Sequence, residues 1–304
     1  MKRFVIISLT SILLLALIVG IAGRQRHHKP VSDVSAADKM YPAETEATIT
    51  EEITEFTYDK RQVPDVTTEI IIARQAYTMS YNPQTLCPNW VAWHLTAEHT
   101  DGRFNRKEIY YDNSGEACGI GKVTSDMIHG TYIVDMEVPE PRATHDDWYP
   151  LETNISHGHI CPAGDCKWSQ EAMNQSNLLS NICPQNSRLN SGGWNRLEEK
   201  CRQWAVKYGD IYIVAGPLFY GEVIQTIGRN RIAVPDAFFK VILCLHDEPK
   251  AIGFIYANNA ESHKIGNSVC KVDDVERISG FDFFSELDDE VEDVIEADAN
   301  ITMW

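Results

Sequence analysis

The chain has 304 residues, 43% of them apolar, which is enough for one substantial core or two modest ones and too much for a disordered protein. Lysine and arginine number 27 against 44 aspartates and glutamates, a formal charge of −17, so a generally basic nucleic-acid binder is excluded and any phosphate site must be local. Eight cysteines are too few for a disulfide-built miniprotein and numerous for a reducing cytosol.

Met1-Lys2-Arg3 precedes an uncharged apolar run from Phe4 to Gly23, after which come Arg24, Arg26 and Lys29. Twenty residues at helical rise span a bilayer, and Gly20-Ile21-Ala22 offers a small-residue cleavage site. Residues 1–30 are therefore expected to be a signal peptide or a membrane anchor through residues 4–23, with the rest exported: periplasmic, extracellular, or anchored outside the cytoplasm. In such a compartment some of Cys87, Cys118, Cys161, Cys166, Cys183, Cys201, Cys244 and Cys270 are free to oxidise, in pairs that spacing does not reveal. Residues 31–67 are polar and acidic without apolar periodicity and read as a linker. Residues 68–284 form the expected domain. Residues 285–304 carry eight acids and no base, an acidic tail; subtracting the ends leaves 29 acidic and 21 basic residues in 57–284, a net of −8.

Within the domain, β-rich runs predict strands at Asn89–Leu95, Thr131–Val138, Ile211–Ala215, Phe238–Leu245 and Ala251–Tyr256. From Leu189 onward, Trp194, Leu197, Cys201, Trp204, Ala205 and Tyr208 recur at helical steps and Gly209 supplies a stop, predicting an amphipathic helix whose apolar face is core. Strands on either side of a helical middle, without βαβ alternation, predict an α+β fold with a mixed or antiparallel central sheet flanked by helices. There is no internal repeat and no Gly-rich phosphate loop.

The densest reactive segment is Ser156-His157-Gly158-His159-Ile160-Cys161-Pro162-Ala163-Gly164-Asp165-Cys166. His157, His159, Cys161 and Cys166 carry zinc-type donors, but the spacing lacks the matching second pair of a structural zinc site. Three motifs C-terminal to this segment give a second reading: Ser180-Asn181-Ile182-Cys183-Pro184-Gln185-Asn186, then Leu189-Asn190-Ser191-Gly192-Gly193-Trp194, then Leu197-Glu198 and Arg202. This order of linked motifs resembles the DNA/RNA non-specific endonucleases, the ββα-metal nucleases that include secreted bacterial nucleases and mitochondrial endonuclease G. The likeness runs from about Tyr81 to Phe284 and takes in Gly216-Pro217 and Val234-Pro235-Asp236-Ala237-Phe238.

The resemblance implies a ββα-metal (His-Me finger) motif and a magnesium ion, for which manganese can substitute. It implies His159 as general base, Asn190 as the protein ligand of the metal, and Asn181 and Glu198 as groups holding metal-bound waters. Arg202 completes the catalytic set, and His157, Gln185 and Arg188 contact substrate. DNA and RNA are the implied partners through their phosphates, without base readout; a homodimer is left open. Elementary chemistry agrees, because phosphodiester hydrolysis needs a base that is neutral near pH 7 and a cation for the charge that builds on phosphorus. A hard, strongly hydrated ion needs few protein oxygens. In an α-helix Asn190 and Glu198 would lie about 80° apart around the axis, and Glu198 and Arg202 are spaced to pair. Taken singly, His159 reads as an ordinary histidine, Asn190 as a helix cap and Glu198 with Arg202 as a solvated ion pair. Arg188, Arg202, Arg229 and Arg231 supply local positive charge.

One position departs from the family's pattern of Asp-Arg-Gly-His or Ser-Arg-Gly-His: His157 stands where the family has arginine. A permanently charged fork binds phosphate better than a mostly neutral imidazole, and its loss costs on the order of 2–4 kcal/mol of transition-state stabilisation if nothing replaces it. The sequence thus leaves two readings, a working phosphodiester hydrolase and a nuclease-fold exported binding module with weakened or lost catalysis.

Overall fold

The computed structural model describes residues 69–106, 128–148, 154–220 and 224–304. The expected N-terminal segment, the linker and Cys118 lie outside them. The strands in chain order are β1 (Ile70–Ala73), β2 (Thr78–Asn82), β3 (Cys87–Thr96), β4 (Ile128–His129), β5 (Tyr132–Ile133), β6 (Ile155–His159), β7 (Ile182–Asn186), β8 (Asp210–Leu218), β9 (Thr226–Ile227), β10 (Ile232–Ala233), β11 (Ala237–Cys244), β12 (Lys250–Ala257) and β13 (Val269–Cys270). Seven of them form one sheet in the order β1-β2-β3-β8-β11-β12-β13, antiparallel at every pairing. The α+β class is as expected.

Side chains that alternate along these strands feed two cores, one on each face of the sheet. Val91, Trp93 and Leu95 of β3, Ile211 and Ile213 of β8, and Phe238 and Ile242 of β11 enter the first. Trp90 and Ala92, Tyr212 and Val214, and Phe239, Val241 and Leu243 enter the second. Because both faces are covered, the central strands read as continuous apolar runs, which is why sequence located them. Helix α5 (Val272–Ser279) and helix α6 (Asp289–Glu296) cover the second face through Val272, Val275, Ile278 and Ile295. The acidic last twenty residues are thus part of the packed structure, with Glu292 and Glu296 buried and the Trp304 ring 4.9 Å from that of Trp204.

The first face carries the layer that holds the site. The run Thr131–Val138 predicts a strand, but only β5 pairs within it. Val134 and Val138 are still buried, while Asp135 between them takes Arg74 at 2.6 Å and Glu137 takes it at 3.2 Å, so the backbone bends to ion pairs instead of continuing a ladder. The helix expected from Leu189 begins two residues earlier, at Ser187, where the Asn186 side chain accepts the Arg188 N–H. It proceeds as α3 (Ser187–Leu189), a π-helical turn (Asn190–Trp194) and α4 (Asn195–Tyr208), and stops at Gly209. Asn190 is therefore inside a helical run and not its cap. Short α1 (Ala97–Thr100) and α2 (Gln170–Ser176) complete this layer.

Candidate active site

Strands β6 and β7 pair as a separate antiparallel ribbon, with His157 opposite Pro184, Gly158 opposite Cys183 and His159 opposite Ile182. Glycine at 158 is demanded by this crossing, since a Cβ there would lie 2.6 Å from the Gln185 Cβ. The helix then lies along the ribbon: Asn190 Nδ2 donates to Ser156 Oγ at 3.0 Å, and one turn later Trp194 Nε1 donates to the His159 carbonyl at 3.3 Å. Two strands and a helix joined in this way make the ββα unit. The π-turn that begins at Asn190 is a widening that recurs at functional sites, and it voids the 80° angle of a regular α-helix.

His159 is half-buried, and its Nε2 lies 3.1 Å from Asn177 Oδ1. The Asn177 amide is fixed in turn, because its Nδ2 donates to Met173 O at 2.7 Å, so the atom facing His159 is the carbonyl oxygen, which only accepts. His159 must then carry its proton on Nε2, leaving the Nδ1 lone pair available. Burial pushes the His159 pKa down to about 4, the Arg106 charge and His157 push the same way, and the Asn177 bond opposes them. At neutral pH the ring is an uncharged acceptor.

The remaining expected residues divide. Glu198 is half-buried and burial lifts its pKa to about 7 against the charges of Lys240, Arg202 and Arg106. Arg202 donates to Asp165 Oδ1 at 2.9 Å, so its ion pair is with buried Asp165 and not with Glu198. Asn181 is fully buried and its amide is spent on backbone: Oδ1 accepts from Cys161 N, and Nδ2 donates to Cys161 O and Ser176 O. It holds the turn just past His159. Gln185 is buried beneath Gly158, whereas Arg188 is exposed, as are Arg229 and Arg231. His157 is sandwiched between Tyr132 and Trp148, each with ring centroids 4.1 Å away and planes within 19°, an aromatic pile where the family has a charged fork.

Sequence reasoning missed Asn177, Asp165 and Arg106. Asn177 sits in no named motif, and Asp165, though inside the reactive segment, becomes visible as a partner only through its hydrogen bonds. Arg106 is exposed, and its charge reaches both His159 and Glu198. The segment just before it is tied down by Phe104 N donating to Lys167 O at 3.1 Å. A permanent positive charge is thus felt at His159 despite the substitution at 157.

The donor set suits a hard divalent cation. With Nδ2 spent on Ser156, Asn190 presents an Oδ1 that accepts nothing from the described residues, and a carboxylate stands one helical segment later at Glu198. The zinc alternative is not assembled, because His157 is stacked, His159 is bonded to Asn177, and the Cys161 and Cys166 sulfurs lie 3.7 Å apart as buried thiols. All seven described cysteines are free. Among the described residues, the closely spaced acidic group Asp273, Glu276 and Glu296 belongs to the helices on the opposite face of the sheet.

A sequence model of the DNA/RNA non-specific endonuclease family matches residues 57–290. The chain belongs to this family. It is 34% identical over 226 residues to the mitochondrial nuclease EXOG of Danio rerio, covering 69% of this chain and 60% of that protein. It is 33% identical to Nuclease C1 of Cunninghamella echinulata var. echinulata (71% and 83% covered) and 31% identical to human mitochondrial endonuclease G (56% and 53% covered). The chain thus spans about 60% of the length of its EXOG relative. A chain of the crystal structure of the EndoG/EndoGI complex superposes with a TM-score of 0.60 at 23% identity, over 79% of this chain and 93% of that one, so the family's fold is present.

Membership corrects the expectation of export. The EXOG and endonuclease G relatives are mitochondrial proteins by name, as is Nuclease 1 of Schizosaccharomyces pombe, and no helix among the described residues is long and apolar enough to cross a membrane. A basic, apolar N-terminal run marks a targeting or membrane segment without naming the membrane, so export does not follow from it.

Proposed function

We propose that this chain is a magnesium-dependent, sugar-non-specific endonuclease that hydrolyses phosphodiester bonds in DNA and RNA, with manganese able to replace magnesium and no base readout. The observation that carries the reading is the neutral His159, whose Nδ1 lone pair is left free by the Asn177 hydrogen bond. In this reading Nδ1 takes the proton from the attacking water. A histidine with a pKa of about 4 is by itself a weak base. Substrate would raise that pKa: burial is the main cause of the depression, and a phosphate bound at Arg106 would neutralise the charge that adds to it and bring negative charge of its own. Arg106 thereby offsets the missing arginine at position 157, which is why the enzyme reading is preferred to a binding module that has lost catalysis.

Asn190 would hold the metal through Oδ1, with Glu198 orienting bound water; the ion supplies charge stabilisation at phosphorus and at the leaving oxygen. Arg202 acts on the site through Asp165, and Asn181 through the Cys161 turn. His157 and Gln185 shape the ribbon, and Arg188 is left as an outlying phosphate contact. Affinity for DNA and RNA is expected to be weak and salt-sensitive, given the overall negative charge.

The direct test is to incubate plasmid DNA and a structured RNA with the protein in magnesium, in EDTA, and in EDTA followed by excess magnesium. Both polymers are expected to be cut, protected and cut again. Intact substrates under every magnesium condition overturn the proposal.

A further inference from the structure

A groove of about 400 Å3 opens between the turn that joins β2 to β3 (residues 83–86) and the β9–β10 hairpin. Its two walls are fixed to each other, because Ala233 N donates to Thr85 O at 2.9 Å. Each wall is also held from behind. On the first, Leu86 N donates to Asn82 O at 2.9 Å and Gln84 N donates to Asn82 Oδ1 at 2.9 Å. On the second, the Asp147 carboxylate accepts from Asn230 N at 2.7 Å and from Asn230 Nδ2 at 2.9 Å. The groove is therefore formed before any ligand enters it.

Among the described residues that line the groove, Arg231 alone is charged. It is exposed, no described carboxylate pairs with it, and a guanidinium stays protonated in proteins. The backbone gives no reason for an arginine here: φ is 63°, in the left-handed region where glycine or asparagine fits with less strain. In a chain of net charge −17, a permanent, unneutralised cation on a strained turn that lines a preformed groove is fitted to an anion.

The groove adjoins the catalytic layer at two points. β10, in its hairpin wall, packs against β7 of the ribbon. Trp148, next to the Asp147 latch, stacks on His157 with ring centroids 4.1 Å apart, and Tyr132 on the other side of His157 reaches over to His159 at 5.9 Å. Resting on the reading of the chain as a nuclease for DNA and RNA, we propose that this groove is a second phosphate subsite. It takes the phosphodiester backbone of the substrate beyond the bond being cut, and Arg231 is its phosphate contact. The planar guanidinium donates two N–H bonds to the non-bridging oxygens of one phosphate. Contact through phosphate alone treats DNA and RNA alike.

The test measures binding in EDTA, so that cleavage does not interfere, of a fluorescein-labelled single-stranded DNA and of the same sequence in RNA. The proteins are the full chain and its Arg231→Asn, Arg231→Gly and Arg231→Lys variants. The two neutral variants are expected to weaken both polymers about 3- to 10-fold and to flatten the slope of log affinity against log salt by about 0.7, the share of one single-strand phosphate. Arg231→Lys keeps the charge and should recover most of the affinity, losing only the fork. Asparagine and glycine accept the left-handed backbone, so both neutral variants should melt at or above wild type, the opposite of losing a structural arginine. In magnesium, KM should rise by the same factor as Kd with kcat within about twofold, the pattern of binding shared by ground and transition states. Arg229→Asn is the internal comparison. It removes the same charge from the same loop outside the groove lining, and should weaken binding by less than about twofold in screening salt.

Unchanged affinity and salt slope in the neutral variants overturn the proposal, as do equal losses at Arg229 and Arg231, which make the effect one of overall charge. Neutral variants that fail to fold, or a lysine variant no better than asparagine, overturn it as well. Titration with sodium phosphate separates the sources of the anion: inorganic phosphate that binds only when Arg231 is present, with both polymers bound equally by wild type and Arg231→Asn, replaces the nucleic acid by a free ion and overturns the proposal. A protein that binds both polymers through Arg231 yet cuts neither in magnesium sinks the nuclease reading, while the binding data still support the groove.

Discussion

In the proposed reading, the use of His159 as a base depends on an amide two hydrogen bonds deep in the chain: Met173 O orients Asn177, and Asn177 sets the imidazole tautomer. Asn177→Leu removes the acceptor and lets the proton move to Nδ1, so kcat should fall about 10- to 100-fold with KM little changed. Steady-state kinetics on DNA check this, and an unchanged kcat would mean that the tautomer is set elsewhere. Glu198 makes a second residue-scale prediction. Its folded pKa of about 7 lies above the ordinary 4.5, so the folded protein binds more protons than the unfolded chain between these values, and stability from this group declines as pH rises through that window. Metal-free Glu198→Gln should therefore gain in melting temperature over wild type as pH increases from about 5 to 8, and magnesium affinity of the wild type should rise across the same range. Scanning calorimetry at several pH values decides; a constant difference in melting temperature would show that Glu198 is not perturbed. His157 belongs to the same scale. Sandwiched as it is, His157→Ala loses two ring contacts worth about 0.5–1.5 kcal/mol each, whereas His157→Arg can keep the stack through its planar guanidinium. The arginine variant is expected to melt within a few degrees of wild type and to cut faster at about pH 8, where imidazole carries little charge; equal rates from about pH 5 to 9 would contradict this view of the substitution.

At the scale of elements, the ββα unit works because its helix can approach both the ribbon and the main sheet. The approach is closest at Gly193, in the π-turn, where a Cβ would meet the His263 Cβ at 2.7 Å and Tyr256 Cε1 at 2.9 Å. Gly193→Ala should push the helix start outward, cost about 1–3 kcal/mol of stability and displace Asn190 from Ser156, so that activity and denaturation midpoint fall together. An alanine variant with wild-type midpoint and rate would mean that the turn absorbs the methyl. This scale also explains what the sequence made legible. β3, β8, β11 and β12 are readable because each is long and covered on both faces, and helix α4 because its buried residues keep a 3.6-residue period. The ribbon strands are not: Ile-Ser-His-Gly-His and Ile-Cys-Pro-Gln-Asn have no alternating apolar pattern, and their pairing is fixed by Gly158 over Gln185. Tyr132–Ile133 shows the reverse case, an apolar run from Thr131 to Val138 whose burial is satisfied by a loop with an ion pair in it.

At the scale of the molecule, the sheet separates two jobs. One face carries the ribbon, the helix and the catalytic candidates; the other is closed by α5 and α6, whose acidic residues put much of the negative charge far from where phosphate must bind. That partition lets an acidic protein keep local positive charge at Arg106. The site is legible in the sequence to the extent that it obeys linear motifs, which give His159, Asn190 and Glu198. Asn177, Asp165 and Arg106 reach the site through space. Asn177 reaches His159 across 18 positions of chain and Asp165 reaches Trp93 across 72, and such couplings leave no spacing to read. The central claim is that the neutral His159 removes the proton from water. Single-turnover cleavage of DNA with saturating magnesium, wild type against His159→Ala, measures it most directly: the rate should fall about 10²- to 10⁴-fold with DNA binding unchanged, and a His159→Ala protein that cleaves at the wild-type rate would contradict it.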